Sequence, residues 1–236
     1  LVFIIVVPVI SLIVWSFLNK RSGSDFYHSI PYTRLCIYLS KTAAILTWIA
    51  GILVVSYVSQ AVLFMANRQY FNVDYATMFR MYLSIFICSL LCMAIINVSI
   101  SITGNILSNI CVTGLIMFLP RFIMLMVTEL TVFHGEAYMI SNSGVGLLDS
   151  SSNMIVGWVF SVFDMYNGSS GIADMVLSLT SNLYTLVLAL IYIALGALLF
   201  VKRKSETAGK AANGKVLTMI IRTLIGFSIA FIGVMI

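Results

Sequence analysis

The chain has 236 residues, 61% of them hydrophobic and 9% charged, with a mean hydropathy of +1.08. Soluble domains carry about a quarter charged residues, so this composition excludes a water-soluble fold and reads as an integral membrane protein. Thirteen Lys and Arg against eight Asp and Glu leave a net charge of +5, which membrane topology and contact with anionic lipid explain without any nucleic-acid partner.

Long uninterrupted apolar runs, rather than ten-residue alternating segments, select helices over an outer-membrane barrel. The expected fold class is therefore all-α, a polytopic bundle of transmembrane helices in a single domain. The first residue is Leu1, and both ends lie inside apolar runs, so the chain reads as a piece of a longer polypeptide. Residues 1–18 supply a first span. They do not read as a signal peptide, because Lys20 and Arg21 follow the apolar run and no small-residue cleavage pattern comes after it.

The connection over 19–42 contains a compact polar and aromatic segment from Ser24 to Arg34. Asp25 stands where a short helix could begin, Phe26, Tyr27 and Ile30 follow at helical spacing, Pro31 stops the turn, and Thr33 with Arg34 opens the next helix. The pattern describes a short surface helix and a corner, or an ordinary loop with interfacial aromatics. Ala43 to Met65 carries no charged side chain; at 1.5 Å per residue it is about 34 Å long, enough to cross a bilayer with some tilt. A polar loop with Asn67, Arg68, Gln69, Asn72 and Asp74 follows.

Further spans are expected over about 80–100 and 106–130, separated by a tight turn at Ser101, Thr103, Gly104 and Asn105. Residues 131–177 form the longest polar region, rich in Ser, Asn and Gly. Its apolar stretch Met154 to Phe163 is too short to span and suits a re-entrant or interfacial helix. A span over about 178–200 leads to Lys202, Arg203 and Lys204, a basic linker fills 201–215, and 216–236 begins a last span.

Orientation follows from charge and parity. Lys20, Arg21, Arg34 and Lys41 lie in one connection, and Lys202, Arg203, Lys204, Lys210, Lys215 and Arg222 in another. Four expected spans separate the two connections, so both fall on the same side, the cytoplasmic one by the positive-inside rule. The 131–177 region has no Lys or Arg but carries Glu136, Asp149, Asp164 and Asp174, and parity assigns it outside. Arg68 and Arg80 run against this pattern.

The chemistry-bearing residues are few. Gly209 to Lys215 matches the first seven positions of a phosphate-binding loop, but Val216 stands where a magnesium-holding hydroxyl belongs, and the segment follows a membrane helix rather than a strand. It reads as a flexible linker. Arg121, directly after Pro120, falls mid-span, where arginine costs about 2.5–3.5 kcal/mol on insertion scales. It is a candidate gate or pathway charge, or else half of an interhelical structural pair. Glu129 lies too far along the same helix to pair with it directly. Cys36, Cys88, Cys92 and Cys111 have no disulfide or metal-ligand spacing, and neither His28 nor His134 has a partner at such spacing. His134 and Ser143 make a weak case for intramembrane proteolysis. No enzymatic centre and no bound cofactor or metal are expected.

The segment Asp25-Phe26-Tyr27-His28-Ser29-Ile30-Pro31-Tyr32-Thr33-Arg34 resembles the stretch after the second membrane helix in bacterial permeases of the type-2 ATP-binding-cassette transporter family. The likeness is to the Gram-positive group, whose pattern runs Phe-Tyr-His-Ser-Leu-Pro-x-x-Arg; Ile30 for Leu is the one departure. Lys204-Ser205-Glu206-Thr207-Ala208-Gly209-Lys210 resembles a second recurrent segment of the same permeases. The resemblance implies a permease subunit of an exporter in a bacterial cytoplasmic membrane, with its first helix preceding Leu1. It implies that Asp25, Phe26, Tyr27, His28, Ile30, Pro31 and Arg34 form a coupling helix docking on a separate ABC ATPase subunit, which binds ATP and magnesium. It further implies a second permease chain, as a homo- or heterodimer. A membrane sensor or immunity-type interaction protein, or a secondary transporter, would share the same composition.

Overall fold

The computed structural model describes residues 2–19, 31–70, 73–117 and 179–203, with single positions 22, 23, 26, 219 and 226. The described residues are helical, without strands, in the order α1 (Val2–Val14), a 3-10 turn (Ser16–Asn19), α2 (Arg34–Ala66), α3 (Tyr75–Ile102), α4 (Ile106–Met117) and α5 (Leu179–Lys202). Three of them, α2, α3 and α5, are long and apolar enough to cross a membrane, which makes the chain a multi-pass helical protein.

Local chemistry sets the boundaries. Thr33 takes an extended conformation and its hydroxyl accepts from the Cys36 amide at 3.4 Å, capping α2. The helix therefore begins at Arg34, where the sequence places its opening, and the charge-free stretch from 43 is its interior. Its 33 residues span about 50 Å, longer than a hydrocarbon core of about 30 Å. Asn67 closes α2 through its amide and its side chain, which donate to Leu63 O at 3.2 and 2.9 Å. Asp74 caps α3: Oδ1 accepts from the Ala76 amide at 3.0 Å and Oδ2 from the Thr77 hydroxyl at 2.6 Å. These bonds hold the Asp74 carboxyl below the usual carboxylate range.

Helix α3 is the centre of the bundle. From Ile87 to Ser101 every residue is buried, as befits a helix apolar on all sides. Over its most apolar stretch 83% of α3 is covered, against 11% of α2 and 22% of α5. The other helices lean one stripe each upon it. Helix α2 offers Tyr38, Thr42, Ile45, Ile49 and Leu53 at helical spacing. Helix α5, the most extensive neighbour of α3, offers Ser181, Thr185, Ala189, Gly196 and Phe200. Small residues at that seam let backbones approach closely, the usual device where lipid removes the hydrophobic drive between helices. Helix α3 runs to Ile102, so the turn into α4 is only Thr103 to Asn105. The Ser99 hydroxyl bridges the two helices by donating to Asn109 O at 2.9 Å.

At the far end, where α2 meets the start of α3, Tyr82 stands against Tyr57 edge-on at 5.3 Å, and Tyr57 against Phe79 at 6.2 Å. The Tyr82 hydroxyl donates to Gln60 Oε1 at 2.6 Å and lies 3.2 Å from the Ser56 hydroxyl. Such amphipathic rings suit a membrane–water boundary.

Candidate functional site

Four helix ends gather opposite that tyrosine layer: the 3-10 turn after α1, the start of α2, and the ends of α3 and α5. Trp15, Tyr38 and Phe200 are all buried there, with ring centroids 5.4–5.7 Å apart. The cluster carries polar tips into a buried interior, and each finds a partner. Trp15 Nε1 donates to Asn97 Oδ1 at 2.9 Å, Asn97 Nδ2 donates to the Thr42 hydroxyl at 3.3 Å, and the Tyr38 hydroxyl donates to Ile193 O at 3.0 Å. Asn97 thus joins α1, α2 and α3 at one point. The Ser101 hydroxyl lies 2.7 Å from Asn97 O and 3.1 Å from Gly196 O; with one proton it serves one carbonyl at a time.

The dominant feature is Arg203, one residue past α5 and 1% exposed. Its Nη1 donates to Ile100 O, and its Nη2 to Leu18 O at 3.2 Å. Arg34 completes the set, its Nη1 donating to Arg203 O at 2.6 Å and Val201 O at 3.1 Å. The last carbonyls of a helix have no partner within it. Two guanidiniums therefore satisfy the ends of α3, of α5 and of the turn following α1.

A buried cation ordinarily needs a carboxylate. Among the described residues the only acid is Asp74, which caps the opposite end of α3, 26 residues from Ile100 or about 39 Å along the axis. What faces Arg203 instead is a set of helix C-termini, each carrying roughly half a negative charge. Burial lowers the Arg203 guanidinium to about 10, still above neutral pH, so it remains a cation in this carbonyl nest. Lys41 adds another positive group at this end, its Nζ 5.5 Å over the Phe17 ring.

The residues that sequence reasoning singled out fall in three groups. Phe26 is helical at its position and 65% exposed, and Pro31 is exposed in a bend next to Tyr32, itself 68% exposed. Arg34 donates to two acceptors on its own chain, because the end of α5 stands within reach of the first turn of α2. Asp25, Tyr27, His28 and Ile30, together with Pro120, Arg121 and Glu129, lie outside the described residues, as does Met154 to Phe163. The site is thus joined at Arg34 to the segment predicted to dock.

Arg203, Asn97 and Trp15 are the residues that sequence reasoning missed. Within Lys202-Arg203-Lys204 nothing distinguishes the side chain that turns inward from its neighbours. Asn97 carried a readable signal, as an amide inside an apolar helix must find interhelical partners. Among the described residues no group of His, Cys, Asp and Glu could hold a metal. Comparison with protein-family models, with curated proteins and with solved structures gives no match, so the chain is identified by its helices alone, as a multi-pass membrane protein.

Proposed function

We propose that this chain is the permease subunit of an ATP-driven exporter of the ABC type, working in a bacterial cytoplasmic membrane with ATP hydrolysed on a separate subunit. The observation that carries the reading is the segment before α2. It holds the Phe26-Tyr27-His28-Ser29-Ile30-Pro31 motif, and its exposed Phe26 and Tyr32 stand ahead of the helix end at which the two basic connections meet. Exposed aromatics beside a positive rim suit a soluble partner's groove better than bulk water. The meeting of Arg34 with Val201 and Arg203 supports placing both basic connections on one side, which the charge rule makes cytoplasmic.

In this reading nucleotide-driven closure of two ATPase subunits, which hold ATP and magnesium, displaces the 24–34 segment. A bundle built from this chain and a second permease chain then exposes its pathway to the opposite side. Phe26 and Tyr27 fill the partner's groove, and Pro120, Arg121 and Glu129 belong to the gate or pathway. The chain itself hydrolyses nothing. The test is ATPase stimulation in proteoliposomes containing this chain and the ABC ATPase subunit proposed as its partner. The double variant F26A/Y27A should lose stimulation while remaining folded; stimulation equal to the parent would remove the docking role and favour a sensor or immunity-type protein.

A further inference from the structure

Arg34 is the first residue of α2 and the last of the segment proposed to dock, and its guanidinium donates to two carbonyls at the end of α5. One of those carbonyls belongs to Arg203, whose own side chain donates to the ends of α3 and of the turn after α1. We infer that Arg34 and Arg203 form a two-step linkage that ties the segment before α2 to the C-terminal ends of three helices. The linkage passes its displacement to α5 and to the central helix α3. This deepens the proposed function, since it rests on that segment being pushed by a partner, but the linkage itself is a property of this chain alone.

The physics favours arginine at both steps. A planar guanidinium presents several donors in a fixed fork, so Arg203 can hold the Ile100 and Leu18 carbonyls of two different segments and Arg34 two carbonyls at the end of α5; a lysine ammonium is a point charge on a flexible stem. The acceptors are helix-terminal carbonyls, which carry the negative end of the helix dipole, so each bond is charge-assisted on the donor side and favoured by the acceptor's position. The Tyr38 and Phe200 rings also bring the start of α2 to the end of α5, with centroids 5.7 Å apart, but a ring contact lacks the directionality of the Arg34 hydrogen bonds. The neighbouring contact, Tyr38 to Ile193 O, lies a turn deeper on α2 and more than a turn earlier on α5. The two arginines also differ usefully. Arg203 is buried and holds the bundle end together, whereas Arg34 is exposed and can be changed with less disturbance to the core.

The experiment uses the full chain in lipid nanodiscs, with C36S and C111S to remove the exposed thiols and with spin labels on Y32C and K202C, both exposed positions. In this background a single narrow distance is expected by pulsed electron resonance. R34Q should lose that single distance to a broad distribution, R34K should restore it only in part, and R203Q should broaden it as well. R68Q, between α2 and α3 at the far end, should leave it narrow. A narrow distance retained in R34Q overturns the linkage, and the exposed position of Arg34 keeps this arm readable even where R203Q fails to fold. In proteoliposomes with the ATPase, R34Q should keep ATPase binding and lose the stimulation that the unaltered chain shows. Absence of ATPase binding by the unaltered chain would instead remove the permease reading while the distance measurement stood.

Discussion

Gly196 faces Tyr38 across the seam between α5 and α2, and a methyl group there tests the bundle end directly. An added Cβ would lie 2.6 Å from the Tyr38 hydroxyl, 3.4 Å from Tyr38 Cζ and 3.5 Å from Val98 Cγ2. Only the first distance is impossible. Tyr38 is 1% exposed and packed against Trp15 and Phe200, so its hydroxyl cannot swing clear without losing its bond to Ile193 O. Overpacking of a filled core costs about 1–3 kcal/mol, and the lost hydrogen bond adds about 1 kcal/mol. The better helix propensity of alanine returns about 1 kcal/mol. The net expectation for G196A is a loss of roughly 1–3 kcal/mol. Y38F alone should cost about 1 kcal/mol through the hydrogen bond. In Y38F/G196A the offending oxygen is gone and the remaining contacts are ordinary, so the double variant should be at least as stable as Y38F, with a coupling of about 2 kcal/mol. Reversible unfolding of the full chain in mixed micelles, titrated with denaturing detergent, measures all three. Additive losses, or a G196A variant as stable as the parent, would refute the close approach of α5 to Tyr38.

Four further expectations can be checked with simple variants. N97A leaves the Trp15 indole N–H and the Thr42 hydroxyl without their partner and should cost about 1–2 kcal/mol in the same unfolding assay, while W15F added to N97A should cost less than it does alone. Native maleimide labelling should modify Cys36, exposed near the start of α2, and spare Cys88 and Cys92, which are buried in α3 and should react only after unfolding. The Asp74 cap should make stability pH-dependent in acid: its carboxyl binds a proton less readily when folded than when unfolded, so its contribution is complete above the unfolded value of about 3.9 and disappears as pH falls through the lower folded value. D74N should flatten that acid limb in a thermal-unfolding series from pH 6 downward. R121Q should alter transport with folded protein retained if Arg121 lines a pathway, whereas loss of folded protein alone would assign it to an interhelical pair.

Much of the fold was legible because bilayer physics leaves few choices. A charge-free stretch long enough to cross must be a helix, and Thr33 and Arg34 marked the true start of α2. The turn after α3 was readable from Thr103, Gly104 and Asn105. What the sequence did not display was which helix is central. α2, α3 and α5 have similar composition, and α3 becomes the axis only because the stripes of α1, α2 and α5 all converge on it. The arginine clamp was hidden for a related reason. Lys202, Arg203 and Lys204 look alike on the positive-inside rule, and only the convergence of helix C-termini determines that Arg203 is drawn inward. Arg34 was singled out for docking on a partner, and its acceptors within this chain, 167 and 169 residues away, could not be seen from the local motif.

The docking role proposed for the segment before α2 is open to one direct measurement. Phe26, exposed and helical at its position, can be exchanged for a photo-crosslinking amino acid in the full chain, co-expressed in intact membranes with the ABC ATPase proposed as its partner, and irradiated. The predicted result is a covalent adduct between this chain and the ATPase. Adducts with lipid or with this chain only, from a membrane in which the ATPase is present, would contradict it.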